Sequence, residues 1–274
     1  MLVFEFKTYG KALQFQAIDE AIRTTQFIRN KAIRLWMDGL AKSWIELSRH
    51  CALLAKEFLW ANKLNSMARQ AAAERAWAAI SRFYENCKKK ISGKKAENAV
   101  LGSPQVERFS KTGFPQFQKN CHSVEYKTSG WKLADDRKSI TFTDKNGIGK
   151  LKLKGTRNLH FYQINQIKRV RLVKRADGVY AQFCVDVERT EDIQPTHRTV
   201  GLDVGLESFY TDSFGEKIEN PRFYRTGERK MKRSQRLVSR KVKGSSNRRK
   251  ARNTLGRVHL KISRQRKDHA VKLA

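Results

Sequence analysis

Acidic residues are scarce here: 26 Asp and Glu stand against 58 Lys and Arg in 274 residues, a formal net charge of +32. A folded chain with that imbalance repels itself unless a polyanion neutralises it. The physical candidates are nucleic acid, an anionic membrane surface or an acidic protein. Long apolar runs are also lacking. None approaches the roughly 20 residues that span a bilayer, so a membrane-embedded reading is excluded. The start, Met1-Leu2-Val3-Phe4-Glu5-Phe6-Lys7, has neither the charged beginning nor the apolar core of a signal peptide. The expectation is a cytoplasmic protein, nucleoid-associated if prokaryotic, with a nucleic-acid partner and no membrane. Cysteine is sparse and scattered: Cys51, Cys87, Cys121 and Cys184 include no CxxC pair. That excludes a disulfide framework, and zinc is not expected. Cys87, on an apolar helical stripe, and Cys184, in a strand, read as small half-buried hydrophobes. His122, His160, His259 and His269 have no metal-ligand spacing with the cysteines.

What is present is an ordered change of texture. Leu2 to Lys7 alternates as a short strand. From Gln14 to about Lys90 the apolar period is helical, in about three pieces, with stripes at Ile18, Ala21, Thr25, Ile28, Ala32 and Leu35, and at Ala72, Ala76, Ile80, Phe83 and Cys87. Arg23, Arg29, Lys31, Arg34, Arg69, Arg75 and Arg82 lie off those stripes, as a solvated face or one turned to nucleic acid. Gly93 to Gly113 reads as a loop. Period-two alternation then returns over Ser139–Thr143, Lys150–Lys154, Lys168–Val173 and Val179–Glu188, with a hairpin turn at Arg175-Ala176-Asp177-Gly178. These strands predict a small antiparallel barrel whose outer face carries Lys150, Lys152, Lys154, Arg169 and Arg171. Tyr126, Trp131, Phe161 and Tyr162 belong to its core or to a base-stacking surface, the core being favoured.

Arg189 to Thr196 is the best domain boundary. Strands follow at Val200–Asp203 and Ser208–Asp212, turning at Ser213-Phe214-Gly215. From Arg222 onward the chain holds 20 Lys and Arg against two acids, Glu228 and Asp268. Ala251, Leu255, Val258 and Ile262 keep helical spacing inside this stretch, so it is an amphipathic helix with a core-facing seam. That seam needs a sheet to pack against and is expected to remain partly exposed.

Asp203 carries the chemistry. It ends an apolar strand between Gly201 and Gly205, which leave room for a phosphate backbone and a metal ion to approach. Metal-dependent phosphodiester hydrolysis uses a cluster of carboxylates, because one ion activates water while another stabilises the leaving oxygen. A strand-ending aspartate among glycines is equally the mark of a turn, and the local pattern leaves both readings open. Glu207 and Asp212 are nearby in sequence but are weak candidates for metal ligands.

Val200-Gly201-Leu202-Asp203-Val204-Gly205-Leu206, followed by Asn247-Arg248-Arg249-Lys250-Ala251-Arg252 and Ser263-Arg264-Gln265-Arg266-Lys267-Asp268, resembles the TnpB family of transposon-encoded proteins. Gln26-Phe27-Ile28-Arg29-Asn30-Lys31-Ala32 is similar to that family's first helix. Gly113-Phe114-Pro115-Gln116-Phe117-Gln118-Lys119 is similar to its Gly-x-Pro-x-Phe-Lys element, with Gln118 where lysine is usual. The resemblance implies a multidomain α+β fold: a first barrel strand over 1–13, a helical recognition bundle over 14–112, the rest of an oligonucleotide-binding-like β-barrel over 113–194, and the beginning of a RuvC-like, ribonuclease-H-fold α/β domain over 195–274. It implies guide RNA and double-stranded target DNA as partners and Mg²⁺ as cofactor. Asp203 becomes the first catalytic and metal-binding carboxylate. Arg29, Lys31, Arg248, Arg249, Lys250, Arg252, Arg264, Arg266 and Lys267 become nucleic-acid contacts. The family's second and third carboxylates and its zinc ribbon have no counterpart here, so this chain by itself is expected not to cut DNA. A nuclease-dead, RNA-guided repressor and a non-specific basic RNA-binding remnant are the alternatives; stoichiometry is left open.

Overall fold

The computed structural model describes residues 1–89, 113–187, 196 and 198–273. They fall into two units, Met1–Lys174 with Gly178–Val187, and Arg175–Asp177 with Glu188–Ala274. Most of the loop expected before Gly113, and the boundary expected at 195, lie outside the described residues.

The first unit begins with β1 (Leu2–Tyr9) and then four helices: α1 (Ala12–Met37), α2 (Trp44–Glu57), α3 (Leu59–Asn62) and α4 (Ser66–Lys88). Helix α1 forms where the apolar period predicts it. Ile18, Ala21, Thr25, Ile28 and Ala32 are all buried, as the stripe requires. Helix α2 starts with a reciprocal cap, in which the Glu46 amide donates to Ser43 Oγ at 3.4 Å and the Ser43 amide to the Glu46 carboxylate at 3.0 Å. Helix α4 buries small side chains, Ala68, Ala71, Ala72, Ala73 and Ala76, before Ile80 and Phe83, which lets its neighbours approach closely. Cys87 was expected to continue this stripe but is exposed. It sits in the last turn, beyond the packed part of the helix.

The remaining strands are β2 (Ser123–Lys127), β3 (Trp131–Leu133), β4 (Ser139–Phe142), β5 (Gly149–Lys154), β6 (Ile167–Arg175) and β7 (Gly178–Val185). They make one curled, incomplete antiparallel sheet, a half-barrel, in the order β2-β6-β7-β1-β5-β4-β3. The first strand of the chain therefore lies inside the sheet. It pairs with β7 from Leu2↔Val185 to Lys7↔Tyr180 and with β5 from Lys7↔Lys154 to Tyr9↔Lys152. All four helices are thus inserted between two strands of one sheet. Asn65 ties bundle to sheet: its amide donates to the Asp144 carboxylate at 2.6 Å, and its own side chain caps α4 by accepting from the Met67 amide at 2.7 Å. The core runs through both layers, with Ile18, Ile28, Leu47, Leu64, Tyr126, Ile140, Leu151 and Phe183 fully buried.

The second unit holds a three-stranded antiparallel sheet of β8 (Leu202–Asp203), β9 (Ser208–Asp212) and β10 (Lys217–Glu219), in the order β10-β9-β8. Two helices follow, α5 (Phe223–Ser239) and α6 (Ser246–Leu273). The strand expected over 200–203 is reduced to two residues. The seam of α6 does not stay open as expected. Val258 and Ile262 are buried against Met231 of α5, with Phe223 and Leu255 alongside. Gly227 permits that approach, since a Cβ there would lie 2.6 Å from Ile262 Cδ1. The sheet is what remains open: Val200, Leu202, Val204, Leu206 and Phe214 are all exposed, Leu206 at 91%. The whole is a multidomain α+β chain. No helix among the described residues is long and apolar enough to cross a membrane.

Candidate carboxylate site and basic surfaces

Asp203 stands exposed at the end of β8, opposite Thr211 of β9. Below it the strand is closed by two bonds: the Ser213 amide donates to the Gly201 carbonyl at 2.8 Å, and the Gly201 amide to Ser213 Oγ at 3.3 Å. Asp212 is spent on the turn, its Oδ1 accepting from the amides of Phe214 at 2.9 Å and Glu216 at 2.8 Å. Among the described residues no three His, Cys, Asp or Glu side chains gather in a group that could hold a metal ion. Asp203 is therefore an accessible carboxylate without a metal cluster around it, and a two-metal site is not assembled from the described residues.

A cleft of about 690 Å³ opens just past Asp203. The segment Val204–Glu207, Phe209 and Asn220–Arg225 form most of it, and Arg266 and His269 of α6 complete it. Asn220 shapes this wall by donating to the Leu206 carbonyl at 3.2 Å and accepting from the Arg222 amide at 3.0 Å. Arg222 occupies left-handed backbone, φ 46°, at the start of α5. The first turn of that helix, flanked by Arg222 and Arg225, gives the cleft an electropositive end. His269 packs edge-on against Phe209 at 5.0 Å and Phe223 at 5.7 Å. The sequence reading missed this cleft. Asn220-Pro221 is the turn signal that could have marked it.

The candidate nucleic-acid contacts are distributed unequally. Lys31 is exposed on α1, its Nζ 5.7 Å from the Phe27 ring. Arg29 is half-buried, and burial draws its pKa down from the usual arginine value. Its guanidinium donates to the Gln116 carbonyl at 3.1 Å. Beside it, Asn30 exchanges two bonds with the Gln118 backbone at 2.9 and 2.8 Å, and Gln26 accepts from the Cys121 amide at 2.8 Å. The segments 26–32 and 113–119 therefore bind each other, and Arg29 serves that junction.

On α6, Arg248 is half-buried near the helix start, while Arg249, Lys250, Arg252, Arg264, Arg266 and Lys267 are exposed. At 100° per residue, Arg249 and Lys267 fall opposite the buried stripe of Ala251, Val258 and Ile262, Lys250 and Arg252 lie on its two flanks, and Arg264 is paired with Asp177 at 2.7 Å. The two acids of this region pair within their own helices, Glu228 with Lys232 at 2.9 Å and Asp268 with Lys272 at 2.8 Å. The result is a cationic ridge along α6.

The half-barrel face differs from its expected form. Lys150, Lys152 and Lys154 are exposed, but Arg169 and Arg171 are committed to Glu125. Glu125 is 2% exposed and also meets Arg75 of α4 at 3.5 Å. Glu74 pairs with Arg169 at 3.1 Å and with Lys127. Burial alone would raise the Glu125 carboxyl, but hydrogen bonds from Arg169 and Arg171, with the charge of Arg75, hold it below the usual carboxylate range. Tyr126 and Trp131 are core, whereas Phe161 is not.

Residues 182–274 match the family described as "Probable transposase". A "Putative RNA-guided DNA endonuclease" of Streptomyces pristinaespiralis is 47% identical over 79 residues, 29% of this chain and 20% of that protein. The "Putative RNA-guided DNA endonuclease InsQ" of Escherichia coli (strain K12) is 26% identical over 163 residues, 60% of this chain and 39% of that protein. The chain thus spans a fifth of one relative's length and about two fifths of the other's. It is a distant homologue of the TnpB/OrfB transposase and RNA-guided endonuclease proteins.

Proposed function

We propose that this chain is the nucleic-acid-binding part of a TnpB-type RNA-guided DNA endonuclease, binding a guide RNA and double-stranded target DNA and contributing Asp203 as one catalytic carboxylate. On this reading the half-barrel corresponds to the oligonucleotide-binding-like barrel and α1–α4 to the recognition bundle. The second unit corresponds to part of a RuvC-like domain of ribonuclease-H fold. The observation that carries it is Asp203 itself, exposed at a strand end between Gly201 and Gly205, inside the segment that matches "Probable transposase".

The division of labour follows from charge and position. The ridge of Arg249, Lys250, Arg252 and Lys267 takes phosphate oxygens and holds a backbone beside the sheet that carries Asp203. Gly201 and Gly205 leave Asp203 unshielded. Mg²⁺, when bound, supplies an activated water and stabilises the leaving oxygen. Asp203 alone does not hold two such ions, so cleavage needs carboxylates beyond those the described residues bring together.

The test is the salt dependence of binding. The logarithm of the association constant for RNA should fall linearly with the logarithm of salt concentration, by about 0.7 to 0.9 per phosphate contact. Replacing Arg249, Lys250 and Arg252 together by glutamine should make that slope shallower by about 2. An unchanged slope would remove α6 from the interface.

A further inference from the structure

We infer that Phe161 is a stacking platform for an unpaired base, so that the half-barrel surface beside it binds single-stranded rather than duplex nucleic acid. This rests on the nucleic-acid-binding reading above and assigns one surface and one class of ligand to it. The ring is 83% exposed, yet the turn that presents it is firmly held. Leu159 anchors the turn in the core, 3% exposed. Asn158 Oδ1 accepts from the His160 amide at 2.9 Å. Arg137 donates to the carbonyls of both Leu159 and Tyr162, closing the turn from behind. Arg137 does so from left-handed backbone, φ 50°, a conformation unfavourable for a residue with a side chain. Tyr162 packs edge-on against Phe161 at 5.2 Å and also meets Phe4 at 5.2 Å. The sheet thus supports the exposed ring from one side.

The surroundings select the ligand. The Lys138 carbonyl accepts from the Leu153 amide at 2.8 Å, and Ser139 pairs with Lys152. The strand that bears Lys152 and Lys154 therefore runs beside the segment that pins the turn. Those lysines, Lys138 and Arg157 are exposed, and they outnumber the exposed carboxylates of Asp135 and Asp136 nearby. An apolar protein partner would need a wider apolar patch. A duplex keeps its base faces stacked on one another and offers none to a protruding ring. A single strand offers both a free base face and a phosphate chain for the lysines.

The experiment compares fluorescence-anisotropy binding of an oligouridylate of about 12 nucleotides with that of a duplex RNA of equal length, using the full chain. Phe161→Ala should weaken single-strand binding roughly 5- to 100-fold and leave duplex binding and the thermal midpoint unchanged. Phe161→Trp should retain binding, and Phe161→Leu should lose it as alanine does, which separates stacking from simple apolar contact. Single-strand affinity within about twofold of the unaltered chain in Phe161→Ala, or an equal loss on both probes, overturns the inference. If the unaltered chain binds neither probe, the nucleic-acid reading fails and this inference with it.

Discussion

Glu125 and Asp203 are both carboxylates borne on strands, and the two units treat them in opposite ways. In the first unit Glu125 is buried and met by Arg75, Arg169 and Arg171, cations supplied by a helix and a neighbouring strand. In the second, Asp203 is exposed on a two-residue strand, and the described residues gather no second and third ligand around it. The same contrast runs through the apolar residues. The first unit closes one core across helices and sheet, whereas the second buries a small set centred on Met231, Val258 and Ile262 and leaves its sheet exposed. The surroundings of Glu125 assign it to stability, and the exposure of Asp203 leaves it accessible for the role proposed above.

Breaking the contrast at its strongest point means removing the buried carboxylate. Glu125→Ala takes a shared partner from Arg75, Arg169 and Arg171, of which Arg169 keeps Glu74, and should cost the first unit about 3 kcal/mol, read as a lower urea midpoint. The effect should also depend on pH. The folded Glu125 carboxyl titrates below its unfolded value. Its contribution is therefore complete above the unfolded pKa of roughly 4 and is lost as pH falls through the folded value. The gap between the unaltered chain and Glu125→Ala should accordingly narrow in acid, and a constant gap would deny the network its role. A smaller effect is expected in the second unit. Ile262→Ala opens the contact between α5 and α6 and should cost about 2 kcal/mol, confined to a separate unfolding transition. If both units unfold together in that variant, the division into two cores is wrong.

How far these features can be read from the sequence depends on where their partners lie. The stripe of α1 is legible because Ile18 to Ala32 repeats within one segment, and β7 because Val179 to Val185 alternates within one run. Strand β2 is not legible. Its five residues alternate too briefly to mark a strand, and the arginines that make the burial of Glu125 tolerable come from positions 75, 169 and 171. Cys87 misleads for a related reason: a stripe does not announce where its packing partner ends. Asp203 stands out through its glycines, but the cleft beside it does not, because Arg222 and Arg225 merge into a long basic run. Phe161 looks like one more barrel aromatic until Arg137, held in left-handed backbone, is seen pinning its turn outward.

The reading of the whole chain turns on what it carries when isolated. Expressed together with its encoding locus and purified at moderate salt, it should bring down one RNA species of defined length and a single 3′ end, revealed by sequencing the bound RNA. A heterogeneous mixture, or no RNA at all, would contradict guided binding and leave only a basic protein that holds polyanions without selection.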